Sequence, residues 1–294
     1  MSACSASRGP LALCVGLVLA SALFSCSEAP APGVDAGSAD AGALDAGQDA
    51  GQDAGQDAGA VDGCPLTATV FPRVGAPTDS VFNPAGPGLL LMGGGTDVDQ
   101  AFVWMRTTLA ANTSLPAGDV VVLRATGTNA YDPYLAGLAP FNSVQTVLLP
   151  PPSTLTDLTT AAALVDKGEA VFFAGGDQSH FVAWANGPLF AAVQRLYARG
   201  GVVGCTSAGL AVLGQFVFDA RVGSVTSAEA LANPYDAQLT FTRDSFAFPP
   251  LAGVITDTHF ANRDRVGRLT AFMARQVADG AVTGTNPRVL GLGV

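Results

Sequence analysis

At 294 residues, nearly half of them apolar, the chain is long enough for one large domain or two small ones with a sizeable core. Its formal charge of -10 is unevenly spread: residues 1–64 hold eight acids and one base, and the rest, with 16 acids, 13 bases and a single lysine (Lys167), stands near neutrality. No clustered basic face is available, which excludes a nucleic-acid partner.

The first 26 residues read as an export signal. Arg8 is the only charge of a short leading region, and residues 11–24 form an apolar run of about 14 residues, where a membrane span needs roughly 20. The run ends in "LFSC" (23–26), which resembles a bacterial lipobox, so Cys26 is the expected lipid attachment site. Ordinary cleaved secretion is the alternative. Either reading places the protein outside the cytoplasm, with a membrane contact only through lipid. Residues 27–63 repeat "DAG" at Asp35, Asp40, Asp45, Asp49, Asp53 and Asp57. Asp, Ala, Gly and Gln bury too little surface to offset chain entropy, so this segment is expected to be a disordered tether. Cys64 and Cys205 remain beyond it. One ends the tether and the other ends a buried strand, so no disulfide between them is expected.

From residue 64 the pattern alternates. Apolar runs predict strands at 88–92 ("GLLLM"), 119–125, 144–149, 170–174 ("AVFFA"), 201–205 ("GVVGC"), 253–256 and 288–294 ("RVLGLGV"). Helix-like segments lie near 98–110, 154–167, 188–199, 207–214 and 263–279. Such alternation predicts an α/β fold with a mainly parallel sheet covered on both faces. Residues 216–250, rich in Phe, Pro and Asp, break the rhythm and predict a hairpin or loop excursion. The last apolar run stops at Val294 without a cap, which predicts further natural sequence beyond it.

Chemistry concentrates at the strand ends. "CTSAG" (205–209) joins a strand to a helix through small residues, the geometry of a nucleophile elbow. Ser207 is either a nucleophile or a helix cap. Cys205 is expected to be a small buried hydrophobe, with a reactive thiol as the alternative. The chain has two histidines that could serve as base, His180 in "AGGDQSH" and His259 in "DTHFANRDRVGRL". His259 is preferred because Asp257, Arg263, Arg265 and Arg268 gather around it in a charge-poor chain; a solvated helix face is the other reading of those arginines. Backbone amides of the "AGGDQ" turn (174–178) suit an oxyanion hole. "MGGGTD" (92–97) looks similar but matches neither dinucleotide nor P-loop patterns. No cofactor and no metal site is indicated.

Together, "GGDQ" (175–178), "TSAG" (206–209) and "DTHFANRDRVGRL" (257–269) resemble, in order and spacing, the cyanophycinases and the related dipeptidase E enzymes. The resemblance spans about residues 88–294. It implies a serine exopeptidase on a three-layer α/β/α sandwich akin to class I glutamine amidotransferases. It implies Ser207 as nucleophile and His259 as base. Gly175, Gly176 and Ala208 would form the oxyanion hole, and Gln178, Asp257, Arg263 and Arg268 would bind substrate. The implied substrate is a small aspartyl peptide or isopeptide. An orienting acid is implied just after "LGLGV". Cys205 stands in place of a usual glycine and Thr258 in place of a usual Gln, which weighs against cyanophycin itself. A non-catalytic lipoprotein that binds such ligands on the same fold is the alternative.

Overall fold

The structure is a computed structural model that describes residues 67–110, 116–246, 248–285 and 287–294. The signal-like segment, Cys26, the tether and Cys64 lie outside the described residues.

Eleven strands and eight helices can be followed among the described residues. They are β1 (Thr69–Val70), β2 (Val74–Gly75), β3 (Gly88–Met92), α1 (Asp99–Leu109), β4 (Asp119–Arg124), α2 (Tyr131–Leu138), β5 (Ser143–Leu148), α3 (Leu155–Val165), β6 (Ala170–Phe173), α4 (Gln178–Ala183), α5 (Pro188–Ala198), β7 (Val202–Thr206), α6 (Ala208–Ala211), β8 (Phe216–Phe218), α7 (Ser227–Ala232), β9 (Phe241–Arg243), β10 (Val254–Asp257), α8 (Val266–Ala278) and β11 (Leu290–Gly293). All seven expected strands are present within a residue or two of their bounds.

A seven-stranded sheet runs β1-β5-β4-β6-β7-β3, with β2 also on β5. The strands from β5 to β3 are parallel, and β1 and β2 join antiparallel. The pleat sorts each inner strand between two layers. Val121 and Leu123 of β4, with Val171 and Phe173 of β6, meet α3 and α5 on one side. Val120, Val122, Ala170 and Phe172 meet α1 and α2 on the other. This is the three-layer α/β/α arrangement with a mainly parallel sheet. A run such as "DVVVLR", buried at all six positions, is what double-sided cover requires.

The excursion at 216–250 is more ordered than expected. β8 and β9 pair antiparallel, and β8 pairs parallel with β10, giving a second sheet β11-β10-β8-β9. Its core of Phe216, Phe218, Ile255, Leu269 and Phe272 is closed by α7 and α8. Local signals set several helix starts. Thr154 with Asp157, and Thr226 with Glu229, form reciprocal capping boxes, each stabilising by about 1 kcal/mol. Pro188 opens α5, where a missing N–H costs nothing.

Glu169, just before β6, is buried and accepts a bond from the Asp119 amide at 2.8 Å. Burial, opposed by that bond and reinforced by the Asp119 charge, raises its pKa from the ordinary 4.5 to about 7. The folded state thus holds this proton more tightly than the unfolded chain. The resulting stabilisation is complete below pH 4.5 and disappears as pH rises to about 7. Glu169→Gln is expected to flatten that part of the stability profile and to add on the order of 1–2 kcal/mol above pH 7. Urea unfolding at pH 5 and pH 8 measures this; identical slopes for both proteins would refute it.

Candidate active site

β7 ends at Thr206, and the chain turns sharply at Ser207 into α6, with φ 50° and ψ -121° at the serine. A non-glycine residue in this region costs roughly 1–3 kcal/mol and persists only when its surroundings enforce it. The enforcement is visible. The Ser207 amide donates to the Met92 carbonyl (3.2 Å) at the end of β3. Gly209 lies so close to β6 that a Cβ there would stand 2.4 Å from the Phe173 carbonyl oxygen. Glycine at that position is a packing requirement.

His259 follows β10 and also has positive φ, 47°. Its amide donates to the Gly93 carbonyl at 2.7 Å. Consecutive carbonyls of one loop, at Met92 and Gly93, therefore hold the serine turn and the histidine turn. Between them the Ser207 Oγ and His259 Nε2 lie 2.8 Å apart, in hydrogen-bond contact. Gly94 (φ 96°) fits beneath this pair: a Cβ there would stand 2.4 Å from both Cε1 and Nε2 of His259. The "MGGG" stretch, which sequence reasoning set aside, is thus the floor of the site.

Gly175 flanks the serine, and a Cβ at that residue would come within 3.9 Å of Ser207 Oγ. Gly176 has φ 136° and faces Thr126. Ala208 begins α6. Gly175 and Ala208 therefore lie beside Ser207, whereas the neighbour of Gly176 is Thr126. The helix expected over 207–214 is only four residues long, because the chain turns at Val212 into the second sheet. At four residues α6 is too short to contribute a macrodipole.

Gln178, the first residue of α4, donates from Nε2 to the Phe218 carbonyl at 3.4 Å. Arg263 is half-buried in the turn after the histidine, and its amide donates to the His259 carbonyl at 3.1 Å. Asp257 and Arg268 are placed differently from the substrate pocket that the resemblance implied for them. Both are buried, and they pair bidentately at 2.8 and 2.6 Å. A further guanidinium nitrogen of Arg268 donates to Ser224 Oγ and the Val225 carbonyl. Its charge also lies over the Phe218 and Phe272 rings. Four of the five guanidinium N–H donors of Arg268 are thus engaged inside the protein. Arg265 donates to the Thr258 carbonyl at 2.9 Å. Arg263 and Arg265 precede α8, so they do not lie on a solvated helix face. Arg265 and the Asp257–Arg268 pair brace the segment that carries His259.

Cys205 is fully buried, donates to the Leu90 carbonyl at 3.3 Å and is free of any disulfide. Burial pushes its thiol far up, so no thiolate is available there. The cysteine-nucleophile reading falls on this geometry. Among the described residues no His, Cys, Asp and Glu gather into a group able to hold a metal ion, and no helix is long and apolar enough to cross a membrane.

Neither a protein-family model nor a curated protein matches the sequence. Among solved structures, the chain is similar to a peptidase from an acI-B1 Actinobacterium at 16% identity and a TM-score of 0.45, over 65% of this chain and 77% of that one. It is also similar to a protein from Listeria monocytogenes EGD-e proposed to be a peptidase E, at 15% identity and a TM-score of 0.39, over 59% of this chain and 82% of that one.

Proposed function

We propose that the chain is a serine-type peptidase, with Ser207 as nucleophile and His259 as general base. One observation carries the reading: the 2.8 Å contact between Ser207 Oγ and His259 Nε2 on a serine held at positive φ. Ser207 Oγ attacks the scissile carbonyl carbon while its proton passes to Nε2. The carbonyl oxygen becomes an oxyanion beside the amides of Gly175, Gly176 and Ala208. Collapse expels the amine, which takes the proton from His259. Water, deprotonated by the same imidazole, then releases the acyl group from the serine.

The exopeptidase mode and the preference for an aspartyl peptide or isopeptide rest on the resemblance of the three motifs to cyanophycinases and dipeptidase E enzymes. Within that reading Gln178 and Arg263 are the residues offered to substrate, since Asp257 and Arg268 are engaged with each other. The export signal and Cys26 support a lipid-anchored protein outside the cytoplasm, suited to hydrolysing external peptides.

A fluorophosphonate probe tests the chemistry directly. Peptide mapping of the labelled full chain is expected to show a single adduct, on Ser207. A folded protein that takes no label, or takes it on another residue, overturns the assignment and favours a non-catalytic binding protein.

A further inference from the structure

The loop that follows β8 is pinned at both ends to the rim that carries His259, and it presents a cation that the hydrolytic mechanism does not use. β8 runs parallel to β10, with Phe216 opposite Ile255. Two residues on, Phe218 stands level with Asp257, and the chain enters the loop 219–225 where β10 leads into the His259 turn. The Phe218 carbonyl accepts from Gln178, three residues beyond Gly175 beside the serine. At the far end of the loop, Ser224 Oγ and the Val225 carbonyl accept from Arg268. Residues 219–223 therefore run between Gln178 and the Asp257–Arg268 pair, on the carboxyl edge of the sheet, where α/β folds place ligands.

Asp219 fastens this stretch. Its side chain is buried and accepts from the hydroxyls of Thr240 and Thr242, on and beside β9, the second at 2.6 Å. It also accepts from the Arg221 amide at 3.3 Å. Ala220, between the two, has φ 51°, a conformation that a residue with a Cβ keeps only where its surroundings enforce it. The outcome is a fixed turn with Arg221 on its outer side. The Arg221 side chain is 55% exposed, and among the described residues its guanidinium has one charged partner, Asp219 at 3.8 Å. At that distance the carboxylate gives the guanidinium a direction without taking up its N–H donors.

We infer that Arg221 is a specificity-determining residue that receives the free carboxylate of an aspartyl substrate. The inference rests on the aspartyl-peptide reading above and supplies it with a cation, since Arg268 is engaged by Asp257. An aspartyl residue joined through one carboxyl keeps the other as an anion, whether the scissile bond is a peptide or an isopeptide. A planar carboxylate matches the guanidinium fork with two parallel bonds. An asparaginyl amide offers one acceptor and turns its NH2 group against the cation, so it is rejected. Asp219 does not compete with the substrate, because its oxygens are held inward by Thr240 and Thr242.

The test is calorimetric titration of the full chain carrying Ser207→Ala, which prevents turnover, with a thermal melt on each variant. The ligands are α-linked Asp-Leu amide, its β-linked isomer and Asn-Leu amide; the C-terminal amide leaves the aspartyl carboxylate as the only one present. At least one Asp isomer is expected to bind about tenfold to a hundredfold more tightly than Asn-Leu amide. Adding Arg221→Gln brings that preference to within about threefold of unity. The isomer that loses more identifies which carboxylate of the aspartyl residue is received. Should Arg221→Gln fail to fold, Arg221→Lys decides: it keeps the charge but loses the fork, and is expected to cut the preference at least about threefold. No preference for either isomer over Asn-Leu amide, no binding of any of the three, or a preference that survives the Arg221 substitution overturns the inference. Failure of the serine assignment shows separately, as an absent or misplaced fluorophosphonate label in the parent protein.

Discussion

His259→Ala is expected to slow fluorophosphonate labelling of Ser207 by roughly three orders of magnitude, whereas His180→Ala leaves the rate within about threefold of the parent. General-base assistance contributes about 10²–10⁴-fold, and the base must be within hydrogen-bond reach of the proton that it removes. Only for His259 is that contact present, at 2.8 Å from Nε2 to Ser207 Oγ. His180 lies on α4 and its amide closes a turn on Asp177. The His259 substitution deletes a side chain without adding bulk, and the contacts of its backbone to Gly93 and Arg263 remain available. The fold should survive, so the loss reads chemistry. Equal rates in His259→Ala and the parent, or a collapse confined to His180→Ala, would remove His259 from the mechanism.

Arg268→Met is expected to destabilise the folded chain by about 3–5 kcal/mol. The Asp257 carboxylate would be left buried with only the Arg265 guanidinium, 3.7 Å away, and the Thr258 amide to face it. Breaking a buried pair from one side is costly because the remaining charge keeps its desolvation penalty. The paired change Asp257→Leu with Arg268→Met removes both charges and should recover at least half of the loss. Urea unfolding of the single and double variants measures the coupling. Unchanged stability in Arg268→Met, together with a raised KM for an aspartyl dipeptide, would return Arg268 to the substrate pocket from which the buried pair displaces it.

The contrast between these residues shows how far local pattern reaches. Buried strands were legible because a sheet covered on both faces demands continuous apolar runs, as in "DVVVLR" and "AVFF". The serine elbow was legible because small residues must flank a turn where helix and strand approach closely, and Gly209 against the Phe173 carbonyl is that approach. The charged cluster after β10 was legible as a cluster but was assigned the wrong surroundings. Charge in a charge-poor chain marks importance, yet whether a carboxylate faces a cleft or a buried guanidinium depends on which helix covers it. Here α8 covers it.

The sequence by itself determined the alternation of strands and helices, and it favoured a sharp turn at Ser207 and His259 over His180 as candidate base. Tertiary structure alone decided that the serine and histidine, 52 residues apart, share a hydrogen bond. It also decided that the "MGGG" loop is their common floor and that Asp257 and Arg268 are paired. Periodicity along a chain reports which face of each element avoids water. Strand order and register set the distances between elements, and it is the placement of β3 beside β7, with Met92 opposite Thr206, that assembles the site.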